Sequence, residues 1–193
     1  MEKRLLETIK IENGEIFNLS YHQERLDRSR KALFSLENKL ALAPLLEAPK
    51  NGLYRCRIIY GHKIDSIEYI PYTPKKIRCL KIVTSAIDYS YKYEERKELE
   101  LLLSDEKNCD EVLIEKNGYL TDTTVANIAF YDKGTWFTPK QPLLKGTMRQ
   151  KLIDEGFLKT KEIKKEDLMQ FSKVALMNAM IGFKIIKSIT IEQ

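Results

Sequence analysis

Apolar positions recur along this chain in two periods, one helical and one strand-like. Over residues 21–36, Leu26, Ser29, Leu33 and Phe34 fall on one side at helical spacing, and Arg25 borders that side closely enough to turn inward. Ser20-Tyr21-His22-Gln23 has the form of a capping box, so a helix is predicted whose first N–H groups are met by Ser20 and Gln23. Residues 53–60 and 64–70 read as two strands, with Asn51-Gly52 turning into the first and Gly61-His62 joining them as a hairpin. Pro71 and Pro74 end the hairpin, and residues 71–76 form the best candidate linker. Beyond it the pattern predicts a strand over 77–84, a helix over 94–103 and a strand over 111–115 ending at Asn117-Gly118. Two further strands are expected over 126–131 and 135–138. A last helix should open near Thr147, just after Gly146, and stop at Gly156. The mixture predicts an α+β fold with a small N-terminal α/β lobe over 1–75 and a larger C-terminal lobe over 76–193.

Composition narrows the class of molecule. Hydrophobic residues make up 43% and charged residues 32% of the 193, too apolar for a disordered chain and too charged for a membrane protein. No run approaches the roughly 20 apolar residues of a membrane span. The N-terminus turns polar at Glu7, short of the roughly 7–15 apolar residues of a signal segment. A cytoplasmic protein without membrane partners is expected. The formal charge of +5 is spread among acidic residues rather than gathered in a block, which argues against nucleic acid. Cys56, Cys79 and Cys109 are widely spaced and have only His22 and His62 to help them, so they read as reduced thiols and no metal site is expected.

Two histidines do not assemble a hydrolase triad, and the P-loop and dinucleotide-binding glycine patterns are absent. Four segments carry the candidate chemistry instead. The first joins Leu6-Glu7-Thr8 to His22-Gln23-Glu24-Arg25-Leu26-Asp27-Arg28-Ser29, and the second is Lys92 with Arg96 four residues later. The third runs from Gly118-Tyr119-Leu120-Thr121-Asp122 to Asn127-Ile128, and the fourth from Thr138-Pro139 to Lys145-Gly146-Thr147-Met148-Arg149. In content and order they resemble the class IV aminotransferases, over most of the chain.

That resemblance implies a two-lobed, D-amino-acid aminotransferase-like fold, N-terminally shortened because the strands usual before Leu6 are missing. It also implies pyridoxal 5'-phosphate as cofactor and a homodimer. Lys92 matches the Schiff-base lysine, whose amine becomes nucleophilic when desolvation lowers its pKa. Asp122 stands where the family has a Glu that keeps the pyridine nitrogen protonated. Arg25, with a bidentate fork, and the helix N-terminus at Thr147 and Met148 suit the phosphate. Asn178 falls beside the place of a further phosphate hydroxyl that Ala179 cannot supply. The bland alternatives are a surface lysine, a polar turn at Asp122 and a surface arginine. Arg55 and Arg57, on one side of a strand, could take a substrate carboxylate or simply face solvent.

Within the family the chemistry divides. Arg96 and the compact length resemble 4-amino-4-deoxychorismate lyases, which form 4-aminobenzoate and pyruvate for folate synthesis. Glu95 departs from the Asn common there. A small amino substrate is thus expected, with the lyase ranked first, an amino-acid transaminase second, and a non-catalytic cofactor binder third.

Overall fold

The computed structural model describes residues 3–106 and 108–192. Met1 and Glu2, where the stretch read for a signal segment begins, lie outside the described residues. The chain divides into two compact units: the chain through Pro74 together with Tyr91–Glu95, and Lys75–Ser90 together with Arg96 onward.

The first unit is an antiparallel sheet backed by a helix. Its strands are β1 (Leu5–Glu12), β2 (Glu15–Ile16), β3 (Leu53–Tyr60) and β4 (Ile64–Pro71), in the order β2-β1-β3-β4. β1 places Leu5, Glu7, Ile9 and Ile11 on one face by its period of two, and all four are buried. Asn13 and Gly14 both have positive φ (50° and 84°) and turn the chain into β2. Helix α1 (Leu19–Phe34) packs Leu26 into this core with Cys56, Ile58 and Tyr60.

No side chain caps α1; Asn18 is the N-cap in a left-handed conformation. The capping-box expectation is therefore corrected. Gln23 is used elsewhere: its Nε2 donates to Asp27 Oδ1 and Leu40 O, and its Oε1 accepts the Leu42 N–H at 2.8 Å. The helix also stops at Phe34, two residues early, because Ser35 turns left-handed and returns its N–H to the last turn.

The second unit carries β5 (Cys79–Thr84), α2 (Lys97–Ser104), β6 (Glu111–Lys116), β7 (Tyr119–Thr123), β8 (Asn127–Asp132), β9 (Thr135–Pro139) and α3 (Thr147–Asp154). β10 (Leu158–Lys161), β11 (Lys173–Asn178), β12 (Gly182–Ile186) and β13 (Thr190–Glu192) follow. The sheet path is β10-β9-β8-β7-β6-β5-β13, with β11 pairing β8 and β12. Leu80, Leu113, Ile128, Phe130 and Leu176 form its core on one side, and Trp136, Leu152, Leu158 and Met177 a second cluster.

Helix α2 begins at Lys97 rather than at residue 94. Residues 91–95 are held extended beside β1, where Lys92 O accepts the Leu6 N–H (2.8 Å) and the Glu94 N–H reaches Arg4 O (3.0 Å). Backbone groups engaged in that way cannot enter a helical ladder. The cysteine expectation is also corrected: Cys79 and Cys109 form a disulfide, brought together by the start of the parallel β5–β6 ladder. Cys56 is free and buried, its thiol pushed up to about 11 by burial. Among the described residues no helix is long and apolar enough to cross a membrane.

Arg30, only 1% exposed, is a structural arginine of the first unit. Its Nη1 donates to Asn38 O (2.7 Å) and its Nη2 to His62 O (2.9 Å), tying two loops to α1. Arg30→Ala should lower unfolding stability by roughly 2–4 kcal/mol, since it removes charge-assisted hydrogen bonds to two loops and leaves a cavity where the side chain was buried. A urea unfolding midpoint unchanged from the parent would show that those loops are held by other contacts.

Candidate functional site

In the first unit, the alternation of β1 delivers a carboxylate into an apolar face. His22 and Arg25, one turn apart on α1, meet it. Arg25 Nε donates to Glu7 Oε1 (2.8 Å), Arg25 Nη2 to Oε2 (2.6 Å), and His22 Nδ1 lies 2.6 Å from the same Oε2. Burial alone would push Glu7 up, but the Arg25 charge and the hydrogen bonds from His22 and Arg25 outweigh it and hold the carboxyl at about 2. His22 is shifted down by burial, with Arg25 and Lys92 repelling its charged form. The ring is thus a neutral imidazole donating through Nδ1, and its buried Nε2 has no hydrogen-bond partner among the described residues.

Lys92 belongs to this unit, half-buried in the extended 91–95 segment and near enough to His22 to act on its titration. The flanking Tyr91 and Tyr93 rings meet edge-on at 6.1 Å and pack against the apolar core. Of the two strand arginines, Arg57 is paired with Glu94 and Glu68, whereas Arg55 keeps a buried Nε without a partner.

In the second unit, Asp122 on β7 is 3% exposed, and both its oxygens accept protein hydrogens. Asn127 Nδ2 donates to Oδ1 at 2.7 Å and the Leu144 N–H to Oδ2 at 2.9 Å. These donors are neutral, and together with the charge of Arg149 they offset burial only in part, so burial dominates and pushes the carboxyl up to about 6. Asn127 also donates to Leu144 O (2.8 Å), binding the segment before α3 to β7 and β8. Its amide lies so close to Gly146 that a Cβ there would stand 2.0 Å from Asn127 Oδ1. Only glycine fits at this N-cap. Thr147 and Met148 follow as the first residues of α3, with their backbone N–H groups at the positive end of its dipole.

The turn after Asp122 is fixed from three sides. Glu111 Oε1 accepts the Thr124 hydroxyl (2.6 Å) and N–H (3.3 Å), and Arg96 Nη2 donates to Thr124 O (2.7 Å). Asn178 Nδ2 donates to Val125 O, and its Oδ1 accepts the Met180 and Ile181 N–H groups. The Asn178 amide is thus largely committed to backbone.

The structure gathers Lys92 and Arg25 with Glu7 and His22 in the first unit, and Asp122, Thr147, Met148 and Asn178 through Asn127 and the turn in the second. Sequence reasoning missed Glu111, and it placed Asn127 and Arg149 in the motif segments without giving them a role. The last is buried, donates to Pro139 O (2.8 Å), and leaves its Nε unpartnered. Polar residues bounding nearly all-apolar strands, Glu111 before Val-Leu-Ile and Asn127 before Ile-Ala-Phe, were the available signal.

The class IV amino-transferase family model matches residues 96–189, which include Asp122, Thr147, Met148 and Asn178 and exclude Arg25 and Lys92. A crystal structure from Haemophilus somnus, of a protein provisionally named 4-amino-4-deoxychorismate lyase, is 38% identical, covers 94% of this chain and 98% of its own, and superposes with a TM-score of 0.85. The chain belongs to the class IV aminotransferase family. A Schizosaccharomyces pombe member provisionally named aminodeoxychorismate lyase is 29% identical over all of this chain and 91% of its own length. The fold is shared with a hypothetical Mycobacterium tuberculosis aminotransferase solved in a PLP-bound form, at 15% identity and a TM-score of 0.78 over 98% of this chain and 81% of that one. Class IV aminotransferases are pyridoxal-phosphate enzymes.

The residues present fit such a cofactor. A buried carboxylate met only by neutral donors suits a protonated ring nitrogen, and a glycine-opened helix N-terminus suits a phosphate.

Folding raises the Asp122 value from its ordinary 3.8 to about 6, so the protonated form is favoured in the folded state. Asp122 therefore contributes stability below pH about 4 that is lost as pH rises through about 6, up to roughly 3 kcal/mol at about 1.4 kcal/mol per unit. Urea unfolding of cofactor-free parent and Asp122→Asn between pH 4 and 8 should show the gap moving in favour of the Asn variant across that window. A pH-independent gap would mean Asp122 titrates as an ordinary carboxyl.

Proposed function

We propose that the protein is a pyridoxal-phosphate-dependent 4-amino-4-deoxychorismate lyase, releasing 4-aminobenzoate and pyruvate for folate synthesis, and acting as a cytoplasmic homodimer. The observation that carries this reading is the 38% identity, across nearly the whole of both chains, to the Haemophilus somnus protein provisionally given that activity. In this reading Lys92 would hold the cofactor, Asp122 would answer the charge of its ring nitrogen, and Arg25, Thr147, Met148 and Asn178 would take its phosphate. Once bound, the cofactor supplies an electron sink for the substrate carbon that bears the amine.

The chain's own groups do the rest. Lys92 Nζ removes the proton from that carbon as a general base. The bond from the neighbouring ring carbon to the enolpyruvyl oxygen then breaks, and the enol leaving group takes up a proton to become pyruvate. The ring becomes aromatic without any change of net oxidation state, so no second substrate is required. Asp122 stabilises positive charge at the ring nitrogen by a buried, incompletely compensated carboxylate. Glu111 and Arg96 keep the Thr123–Ala126 turn beside it in one conformation.

Glu95, standing where the lyases commonly have Asn, favours amino-acid transamination as the second reading. The two separate cleanly in the test. Purified parent with pyridoxal phosphate should develop a visible absorbance band that Lys92→Ala lacks, and borohydride reduction should place the cofactor on Lys92. Incubation with 4-amino-4-deoxychorismate should yield equimolar 4-aminobenzoate and pyruvate, with Lys92→Ala slower by about 10²–10⁴-fold or more. A band with turnover only of amino acids and 2-oxo acids would replace the lyase by a transaminase. A band with neither activity would leave a cofactor binder.

A further inference from the structure

Glu7 stands at a strand position that the alternation of β1 reserves for the core, between Leu5 and Ile9, and is fully buried. Burying a carboxylate there is costlier than burying a leucine, so packing alone does not account for it. What it holds is specific. The Nε and Nη2 edge of Arg25 docks onto both Glu7 oxygens, which fixes the plane of the guanidinium. His22 Nδ1 meets Oε2, the oxygen that also accepts Nη2, and so blocks rotation of the carboxylate about its last bond. The imidazole is 0% exposed, and among the described residues its Nε2 meets no partner, so the hydrogen bond of the ring is the one to Glu7.

With Glu7 ionised, Arg25 charged and His22 neutral, the three side chains carry no net charge. The cluster therefore contributes direction more than field: an arginine held flat for a bidentate oxyanion, not a diffuse positive site. We propose that His22 and Glu7 are positioning residues for Arg25, holding its guanidinium in the orientation that receives the phosphate of the cofactor. The inference rests on the reading of Arg25 as a phosphate ligand. Neither residue touches the cofactor in this account; His22 acts on Glu7, and Glu7 on Arg25.

The phosphate contribution can be isolated by the ratio of dissociation constants for pyridoxal and pyridoxal phosphate, both measured by equilibrium dialysis on the full chain. The two compounds share ring and aldehyde, so a general loss of structure moves both constants and leaves the ratio. His22→Leu, which removes the donor, should lower the ratio by about tenfold, the scale of one hydrogen bond to a charged group. His22→Asn, which keeps an N–H near the place of Nδ1, should restore it. Arg25→Gln should lower it at least as far. Equal ratios in the Leu and Asn variants, whether at the parent value or below it, overturn the role of His22. An unchanged ratio in Arg25→Gln overturns Arg25 as the phosphate ligand, and this inference with it. If His22→Leu does not fold, Glu7→Gln takes its place, because a carboxamide cannot accept both Arg25 N–H groups; a parent-like ratio there overturns the proposal.

Discussion

A carboxylate taken out of water must be met by hydrogen-bond donors or by charge, and each unit of this protein is arranged around one that is. In the first, β1 pushes Glu7 into its apolar face and α1 brings Arg25 and His22 to it. In the second, Asp122 on β7 collects Asn127 and the Leu144 N–H, which fastens the segment before α3 to the sheet. Remove either acid, and a buried arginine or the approach to a helix loses its anchor. The positions of Arg25 and of the α3 N-terminus follow from these two ties.

The two acids are solvated in opposite ways, and their titrations differ accordingly. Glu7 faces a guanidinium and sits at about 2, so its stabilising contribution is present above pH about 4.5 and is lost only as pH falls through about 2. It is a sealed ion pair whose charge is already answered. Asp122 is hydrogen-bonded only by neutral amides and sits at about 6, because burial outweighs those donors and the Arg149 charge together. A cation placed against Asp122 would gain interaction energy and draw its proton off, whereas one placed against Glu7 would compete with Arg25. The chemically receptive acid is therefore Asp122, and Glu7 is support.

Much of this was readable in the sequence, because local patterns set it. The hairpin of β3 and β4 announced itself by Asn51-Gly52 and Gly61-His62, and α3 by the glycines at either end. β1 was not predicted, because Glu7 at an inward position disguised the alternation of residues 5–12. The start of α2 was not legible at all. Glu94 to Leu103 has helical composition throughout, yet the first residues are claimed by backbone bonds to Arg4 and Leu6, some 90 positions away in the chain. The Cys79–Cys109 pairing was hidden for the same reason, since it depends on the register of the parallel β5–β6 ladder. Motif residues such as Asp122 and Gly146 could be picked out by type and spacing. Asn127 and Glu111, which hold Asp122 and its turn, stand out in the sequence only as polar ends of apolar strands, and what they hold depends on how the strands pair.

The Asp at position 122 shows how such support bears on chemistry. An Asp is one methylene shorter than the Glu usual in the family, so on the same backbone its carboxylate is drawn back by about 1.5 Å, the length of one carbon–carbon bond. A flexible acid could not make up that distance, and this one is not flexible: Asn127 and the Leu144 N–H hold one oxygen each. What it retains is charge in a buried site. At an effective dielectric near 20, moving an opposite charge from about 3 to about 4.5 Å weakens the attraction by roughly a third but leaves several kcal/mol in place. If the cofactor is held as proposed, Asp122 would keep its ring nitrogen protonated mainly by its field. The two neutral hydrogen bonds that hold the acid would then set its distance as well as its charge.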